Sequence, residues 1–390
     1  MSELGFFGAG VFFFAALANA AAPPAATISA IAVEPRFFNP ALGQVATIRF
    51  TLGTRARVAV SILDRDRFVV RRLPPREQEP GWAAFAWDGK DDAGATVPDE
   101  AYSLLIEAAT GGRSERYDPS AGFTPQIEGA EIRSYSRSAG VLSYTLSRPS
   151  RVHIQAGQAT PDSKSGQMQG PILKTLVDRE PRVAGAVVET WNGMDEGGTV
   201  YVPGLPHFAM AVLATSLPDH SLIVSGGRGG SFLDYARARR HAGAAAAVRS
   251  APARPAAGSG SAAGPHHRGL DAFQDHSPPV LLRTGGRWDA ARQSWSTGPS
   301  LVVEVTIPEE RAAPFLGQPN ELTLYVDETP VARVQSPKNP WRMSLDRRLD
   351  PGEHRLVVNW SSDFGPVAVA VTRVLVSPGA VAASPSGGKR

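Results

Sequence analysis

The chain has 390 residues, of which 42% are apolar and 20% charged, a globular balance with room for about two to four domains. It contains no cysteine, which excludes disulfides, thiolate metal sites, cysteine nucleophiles and a lipoprotein anchor. The net charge is only +3 and five of the 40 basic residues are lysine, so the composition does not predict a basic face for nucleic acid.

The N-terminal residues 1–20 carry the pattern of an export signal. Residues 4–22 form the longest apolar stretch of the chain, and Ala18-Asn19-Ala20 supplies the small residues of an A-x-A cleavage site. No Lys or Arg precedes this stretch, which departs from an ordinary signal peptide. The sequence therefore predicts a cleaved signal peptide, with an uncleaved membrane-anchor helix over residues 4–22 as the alternative.

The first predicted domain covers residues 28–112. Apolar and polar residues alternate over 46–52 and again over 56–63, which is typical of half-buried β-strands. Further apolar runs follow at 68–73 and 102–108. Short strands with frequent turns, in a chain that has 39 glycines and 33 prolines, predict an antiparallel β-sandwich.

A tryptophan-centred motif occurs twice in the chain. Each copy lies between two apolar runs, and its Asp-Gly or Asn-Gly pair tolerates the positive φ of a tight β-connection. We interpret both copies as structural repeat elements, with Trp87 as a core side chain between two sheets. The matching positions are Trp87, Asp88, Gly89, Asp91 and Gly94 in the first copy and Trp191, Asn192, Gly193, Asp195 and Gly198 in the second.

Residues 28–112 resemble the Ig-like domain named after the FlgD flagellar hook-capping protein. The resemblance depends on Phe38-Asn39-Pro40, the alternating strands, the Trp87-Asp88-Gly89 turn and Tyr102, although the family's glycine before that tyrosine is absent. It implies a sandwich fold, present here as two tandem FlgD-like copies. Such domains also occur as added modules of exported bacterial proteins. The hook-capping protein's own N-terminal region is not seen, so a hook cap is not predicted.

The second FlgD-like domain is predicted over residues 126–226. Residues 142–146 and 151–154 repeat the strand pattern of the first domain, and residues 208–213 supply the closing strand. Residues 158–169 are inserted between matching elements of the two copies. Because loops of this kind tolerate change and carry contacts, we interpret the insertion as a candidate contact loop.

Residues 227–277 are predicted to form a flexible linker. They are rich in Pro, Ala, Gly and Ser, a composition that cannot bury enough apolar surface to become ordered. A short helical pattern at 231–240 and a basic cluster that begins at Arg237 interrupt this composition. We interpret the cluster as a solvated part of the linker, with docking to an acidic partner as the alternative.

The third predicted domain covers residues 278–378. Strand patterns at 301–307, 321–327 and 367–376 indicate an Ig-like sandwich that resembles bacterial Ig-like domains more loosely. Residues 379–390 form a tail rich in Pro, Ser and Gly and are predicted to be disordered. The whole chain is thus predicted to be all-β, with three tandem Ig-like or fibronectin-like antiparallel sandwiches joined by linkers behind an N-terminal signal or anchor helix.

Tryptophans of the third domain are the candidate ligand contacts. Exposed aromatic rings stack on sugars or anchor protein partners, and Trp288, Trp295 and Trp360 are the candidates for such a role. The alternative is that these side chains fill the sandwich core. Trp288 and Trp295 lie outside the clear strands, which makes them the stronger candidates.

The sequence contains no recognisable catalytic or cofactor motif. The eight histidines show no H-E-x-x-H spacing, and neither a G-x-S-x-G elbow nor a phosphate-binding G-x-x-x-x-G-K motif occurs. Asp-rich turns in the first domain suit calcium chemically, but we interpret their carboxylates as caps of backbone N–H groups. We therefore predict no enzyme activity, no cofactor and no metal site.

These observations predict an exported, non-catalytic structural or interaction protein of the bacterial periplasm or cell surface. We expect an accessory subunit of an envelope or extracellular assembly that binds protein partners at exposed sheet edges. One alternative is a carbohydrate-binding or adhesin-like surface protein that binds glycan. The other is a membrane-tethered periplasmic subunit held by residues 4–22. Nucleic acid is not an expected partner.

Overall fold

The computed structural model describes residues 27–128, 131–159, 170–226, 231–239, 277–345, 348–362 and 366–377. The predicted signal or anchor, most of the inserted loop, most of the linker and the predicted tail lie outside these residues. Within the described ranges, most regular structure is β-strand, and the strands form several sheets that pair into three sandwiches. No helix in this part of the chain is long and apolar enough to cross a membrane.

The first sandwich packs a three-stranded sheet, in the order β1–β3–β6, against a six-stranded sheet. In β3 every second side chain is buried, which is the period of a strand with one face on the core. Trp87 is fully buried between the sheets, with its ring edge-on to Tyr102 at a centroid distance of 5.3 Å. The strands are β1 (Ile28–Glu34), β2 (Phe37–Phe38), β3 (Ala46–Leu52), β4 (Ala56–Leu63), β5 (Val69–Gln78), β6 (Gly81–Trp87), β7 (Glu100–Thr110) and β8 (Arg113–Tyr117).

The second sandwich pairs the sheet β10–β11–β14 with the sheet β13–β12–β15–β9. Its core is smaller than that of the first sandwich and is formed around Leu142, Tyr144, Ile154 and their neighbours. The strands are β9 (Ile127–Glu128), β10 (Glu131–Ser136), β11 (Val141–Leu146), β12 (Ser150–Gln158), β13 (Ile172–Arg182), β14 (Gly185–Thr190) and β15 (Phe208–Ser216).

The two tryptophan hairpins share one geometry. The indole Nε1 of each tryptophan donates to the carbonyl three residues later, at 2.9 Å for Trp87 and 2.8 Å for Trp191. Asp91 and Asp195 each accept the backbone N–H four residues later, at 2.9 and 2.7 Å. The first glycine of each motif has a positive φ, of 72° and 80°. These carboxylates therefore cap turn backbone in both copies.

After the last strand of the second sandwich, β15, the chain returns to the first sandwich. β16 (Leu222–Val224) pairs antiparallel with the start of β7 and parallel with β2. Two of its three side chains lie in the first core. The predicted second domain, 126–226, wrongly includes these residues, because a three-residue apolar run does not indicate which sheet it joins. The second sandwich is therefore inserted within the first, and the two are not strictly tandem.

Residues 232–239 form a helix, α1, on the surface of the first sandwich. Phe232 is only 2% exposed, and Tyr235 Oη donates a hydrogen bond to Asp91 Oδ2 at 3.0 Å. The prediction of a flexible linker over 227–277 is wrong for this helix, because its side chains find partners on the first sandwich. The rest of the predicted linker lies almost entirely outside the described residues.

The third sandwich packs the sheet β17–β20–β23 against the sheet β18–β19–β25–β24–β21–β22. The helix α2 (Glu309–Leu316) contributes Ala312 and Phe315 to the core between the sheets. The strands are β17 (Leu281–Thr284), β18 (Arg287–Asp289), β19 (Ser294–Thr297), β20 (Val302–Thr306), β21 (Asn320–Val326), β22 (Thr329–Gln335), β23 (Trp341–Ser344), β24 (Gly352–Ser362) and β25 (Val367–Val376).

A buried ion triad joins the first and second sandwiches. Glu100 of β7 lies 2.5 Å from Arg151 of β12 and 3.4 Å from Arg65, and none of the three side chains is more than 4% exposed. Burial alone would raise the pKa of Glu100, but the guanidinium charges, led by that of Arg151, hold this pKa below its usual range. The carboxylate is therefore charged at neutral pH and serves as the counter-charge of two buried cations.

Replacing Glu100 with Gln is expected to lower the free energy of unfolding by about 3–5 kcal/mol at pH 7, measured by urea denaturation. The wild type holds this stabilisation above about pH 4.5, the ordinary pKa of the side chain, and loses it as the pH falls through the lower folded pKa. The difference between variant and wild type should therefore disappear in acid.

The matched control is Glu77→Gln, in an exposed pair with Arg55 at 3.9 Å, for which a change of about 0–1 kcal/mol is expected. A Glu100→Gln variant as stable as the wild type at pH 7 would show that the triad does not hold the two sandwiches together.

Candidate functional site

A groove of about 600 Å³ lies along one side of the third sandwich and is the candidate site. It is open to solvent, and its walls come from both sheets of that sandwich and from the hairpin of the second sandwich. We call it the paired-tryptophan groove. Its lining residues are Glu196, Gly197, Val280–Arg283, Trp288, Trp295 and Val369–Thr372.

Trp288 and Trp295 lie opposite each other in the antiparallel pair β18–β19. Their ring centroids are 5.3 Å apart and the ring planes are tilted by 57°. Trp288 is 45% exposed, whereas Trp295 is half-buried and packs on the third core. The structure therefore brings these two predicted residues together as an apolar wall with one accessible ring, which is not a flat platform of coplanar rings.

Trp360 is not part of this site. It is fully buried, and its indole Nε1 donates to Asn320 Oδ1 at 2.8 Å. Its strand, β24, is paired with β21 on one side and β25 on the other, so an inward side chain fills the core. The prediction of Trp360 as a ligand contact is therefore wrong, because the sequence does not show that its strand is central in the sheet.

Two strand edges at the groove have no strand partner among the described residues. β17 pairs with β20 on one side only. β19 pairs with β25 over Arg373–Val376, so Val367–Thr372 have β24 as their one described neighbour. Sequence reasoning did not find this edge. The signal was the difference in length between β19 and β25, which carries information only once their register is known.

Arg283 gives the groove a positive charge. The cross-strand neighbour of Arg283 is Glu304, but that carboxylate pairs with Arg342. Among the described residues Arg283 has no ion-pair partner. The one acidic side chain of the lining, Glu196, pairs with Lys174 at 3.3 Å. The groove thus combines apolar walls with one cation whose charge is not balanced locally.

Polar and apolar contacts fix the second sandwich against the third beside the groove. The side-chain amide of Asn359 bonds both backbone groups of Ile172, at 2.9 and 2.8 Å. Gln158 donates to Glu328 at 2.6 Å and accepts from Arg355 at 2.8 Å. The apolar part of this seam consists of Ala156, Leu173, Trp191, Val202, Tyr325, Val357 and Val371.

Asp-rich turns of the first sandwich do not assemble a cation site in the part of the chain that the structure describes. No group of three or more His, Asp or Glu side chains suited to a metal ion is present there. Asp64 Oδ1 instead accepts the backbone N–H groups of Asp66 and Phe68, at 3.0 and 2.8 Å. The carboxylate is therefore used as a cap of turn backbone.

Residues 40–112 match the family described as the FlgD Ig-like domain. The basal-body rod modification proteins FlgD of Salmonella typhimurium and Salmonella typhi are each 43% identical to this chain over 56 residues, or 14% of this chain. The chain covers 24% of the length of each of these curated relatives. The prediction of a FlgD-like domain is confirmed for the first copy. For the second copy, 126–226, it stays a prediction.

Several solved structures are similar to this chain. FlgD from P. aeruginosa is 19% identical, with a TM-score of 0.20, and the match covers 31% of this chain and 87% of that one. Fibronectin(III)-like modules of CbhA from Clostridium thermocellum are 9% identical, with a TM-score of 0.19, covering 89% and 94%. A bacterial ice-binding adhesin is 10% identical, with a TM-score of 0.18, covering 91% and 98%.

Gly197 of the second sandwich lies against β25 beside the groove. A Cβ atom at this position would lie 2.6 Å from the carbonyl oxygen of Val371. Gly197→Ala is therefore expected to force the seam apart and to destabilise it by about 1–3 kcal/mol. The measurement is hydrogen exchange of the seam strands β13 and β24, whose amides should exchange faster in the variant.

The matched control is Gly298→Ala, because no heavy atom lies within 4 Å of a Cβ built there. Unchanged exchange in β13 and β24 of the Gly197→Ala variant would mean that the two sandwiches are not in tight contact at this point.

Proposed function

We propose that this chain is an exported, non-catalytic structural subunit of a bacterial envelope or extracellular assembly. The observation that carries the proposal is the match of residues 40–112 to the FlgD Ig-like domain. The curated relatives that share this stretch are named as basal-body rod modification proteins. Proteins of a flagellar assembly are therefore the first class of partner to test, in the periplasm or at the cell surface.

The chemistry of the groove supports a binding role over catalysis. General acid–base or nucleophilic chemistry requires titratable groups that converge on one reacting atom. The charged side chains of the groove lining are Glu196 and Arg283, and Glu196 is held in a pair with Lys174. Apolar walls and an exposed indole are typical of a surface that buries a partner's side chains.

A carbohydrate-binding or adhesin-like role is the second candidate function. It is favoured by the exposure of Trp288 (45%), since exposed indoles stack on sugar rings. The 57° tilt between Trp288 and Trp295 weakens it, because adjacent sugar rings stack best on coplanar aromatic faces. The membrane-tethered alternative depends on residues 4–22, outside the described part of the chain, and stays a prediction.

Affinity purification of the C-terminally tagged full chain from native envelope and secreted fractions tests the proposal. We expect one stoichiometric protein partner and, by intact-mass analysis, a mature chain that begins at Ala21 or Ala22. A chain that retains residues 1–20 would contradict cleavage and favour the membrane-anchored alternative. Recovery of glycan without any protein partner would contradict the subunit function and favour the carbohydrate binder.

A further inference from the structure

We propose that the paired-tryptophan groove accepts an extended segment of a partner polypeptide, which adds as a strand to the unpaired edge of β25. The inference rests on the proposed function, because it names the surface and the kind of partner of an assembly subunit. It commits to a segment that alternates apolar and polar side chains and that carries a carboxylate. The backbone, the walls and the charge of the groove each contribute to this choice.

The backbone of the groove favours a strand. Along Val367–Thr372, every second residue directs its N–H and C=O away from β24, and no described strand pairs with them. A row of such groups is completed by the main chain of another extended segment, which is recognition by strand addition. A helix has already used its own main-chain groups, and a sugar does not repeat at the strand spacing of about 3.3 Å.

The register of β19 defines where the added strand would lie. β19 runs parallel to β25 and occupies its edge from Arg373 to Val376. The same edge continues without a described strand partner through Val369–Thr372, which line the groove, and Gly197 of the second sandwich lies close to the carbonyl oxygen of Val371. A partner segment along Val367–Ala370 would therefore lie beyond Gly197 and extend the edge that β19 occupies at the other end of β25.

The walls of the groove favour apolar side chains on one face of the added strand. Leu281 and Trp288 are 47% and 45% exposed, so both present apolar surface that a partner side chain would remove from water. Successive side chains of a strand point to opposite faces, so the inward positions would be apolar and the outward ones polar. The volume of about 600 Å³ lies within the range of about 300–1,000 Å³ found for ligand sites.

The charge of the groove favours a carboxylate in the incoming segment. Arg283 lines the groove and has no ion-pair partner among the described residues, since Glu304 pairs with Arg342. An Asp or Glu side chain or a C-terminal carboxylate beside β17 would balance this charge. A neutral sugar would leave it unbalanced, so the charge and the backbone edge favour the same class of partner.

Hydrogen exchange of the full mature chain, with and without defined peptides, tests the inference. The probe is a pool of synthetic peptides in which Val or Leu alternates with Thr or Ser and which end in Asp with a free carboxylate. We expect exchange over residues 367–372 to slow by about tenfold or more when the pool is added. The same peptides methylated at alternate backbone nitrogens keep their side chains but lose strand hydrogen bonds, and they should not protect these amides.

Substitutions separate the contributions of the groove. Trp288→Ala should weaken binding of the protecting peptide by about tenfold, as expected for an aromatic anchor. Trp82→Ala, at a 69% exposed position on the first sandwich, is the matched control and should leave binding unchanged. Arg283→Gln should remove a preference of roughly threefold for peptides that end in Asp over otherwise identical peptides that end in asparagine amide.

Two ligand-binding outcomes would overturn the inference. In one, the peptide pool protects the amides of residues 367–372 no more than the methylated peptides do. The other is a change in tryptophan fluorescence with cellohexaose and no protection over residues 367–372, which would assign the groove to a sugar. A protein complex that forms equally well with the Trp288→Ala variant would also overturn it while leaving the proposed function intact. Peptide protection without any native protein complex would contradict the proposed function and leave the inference intact.

Discussion

The three sandwiches depend on one strand, β12, which is buried along its whole length from Ser150 to Gln158. Its inward side chains fill the second core. Two of its polar side chains are buried against the neighbouring sandwiches: Arg151 meets Glu100 of the first sandwich, and Gln158 meets Glu328 and Arg355 of the third. Buried polar groups are stable only when they find partners, so Arg151 and Gln158 require both neighbouring sandwiches in place.

The groove is a consequence of this arrangement. β12 and β13 hold the second sandwich against the third, and that contact brings Glu196-Gly197 beside β25. The tryptophan hairpin thus has different surroundings in its two copies. In the first copy, Asp91 also accepts a hydrogen bond from Tyr235 of α1. In the second, the same turn contacts the third sandwich, so a repeated local structure contributes to two different interfaces.

Much of the local structure could be predicted from the sequence, because period-two alternation and turn residues act over a few positions. The alternating stretches 46–52 and 56–63 coincide with β3 and β4. The errors concern long-range pairing. β16 joins the sheet of the first sandwich, from which the whole second sandwich separates it in sequence. Trp360 is buried by strands on either side, and the polar side chains of β12 resemble those of an ordinary solvent-exposed face. Such placements depend on partners distant in sequence, which alternation does not encode.

Distance measurement between spin labels tests most directly whether β12 holds the three sandwiches as one body. The chain has no cysteine, so Leu42→Cys on the first sandwich and Lys338→Cys on the third, both exposed, provide the two labelling positions. We expect a single narrow distance distribution at pH 7 that broadens when Glu100 is replaced by Gln. A broad distribution in the otherwise unchanged chain would contradict it.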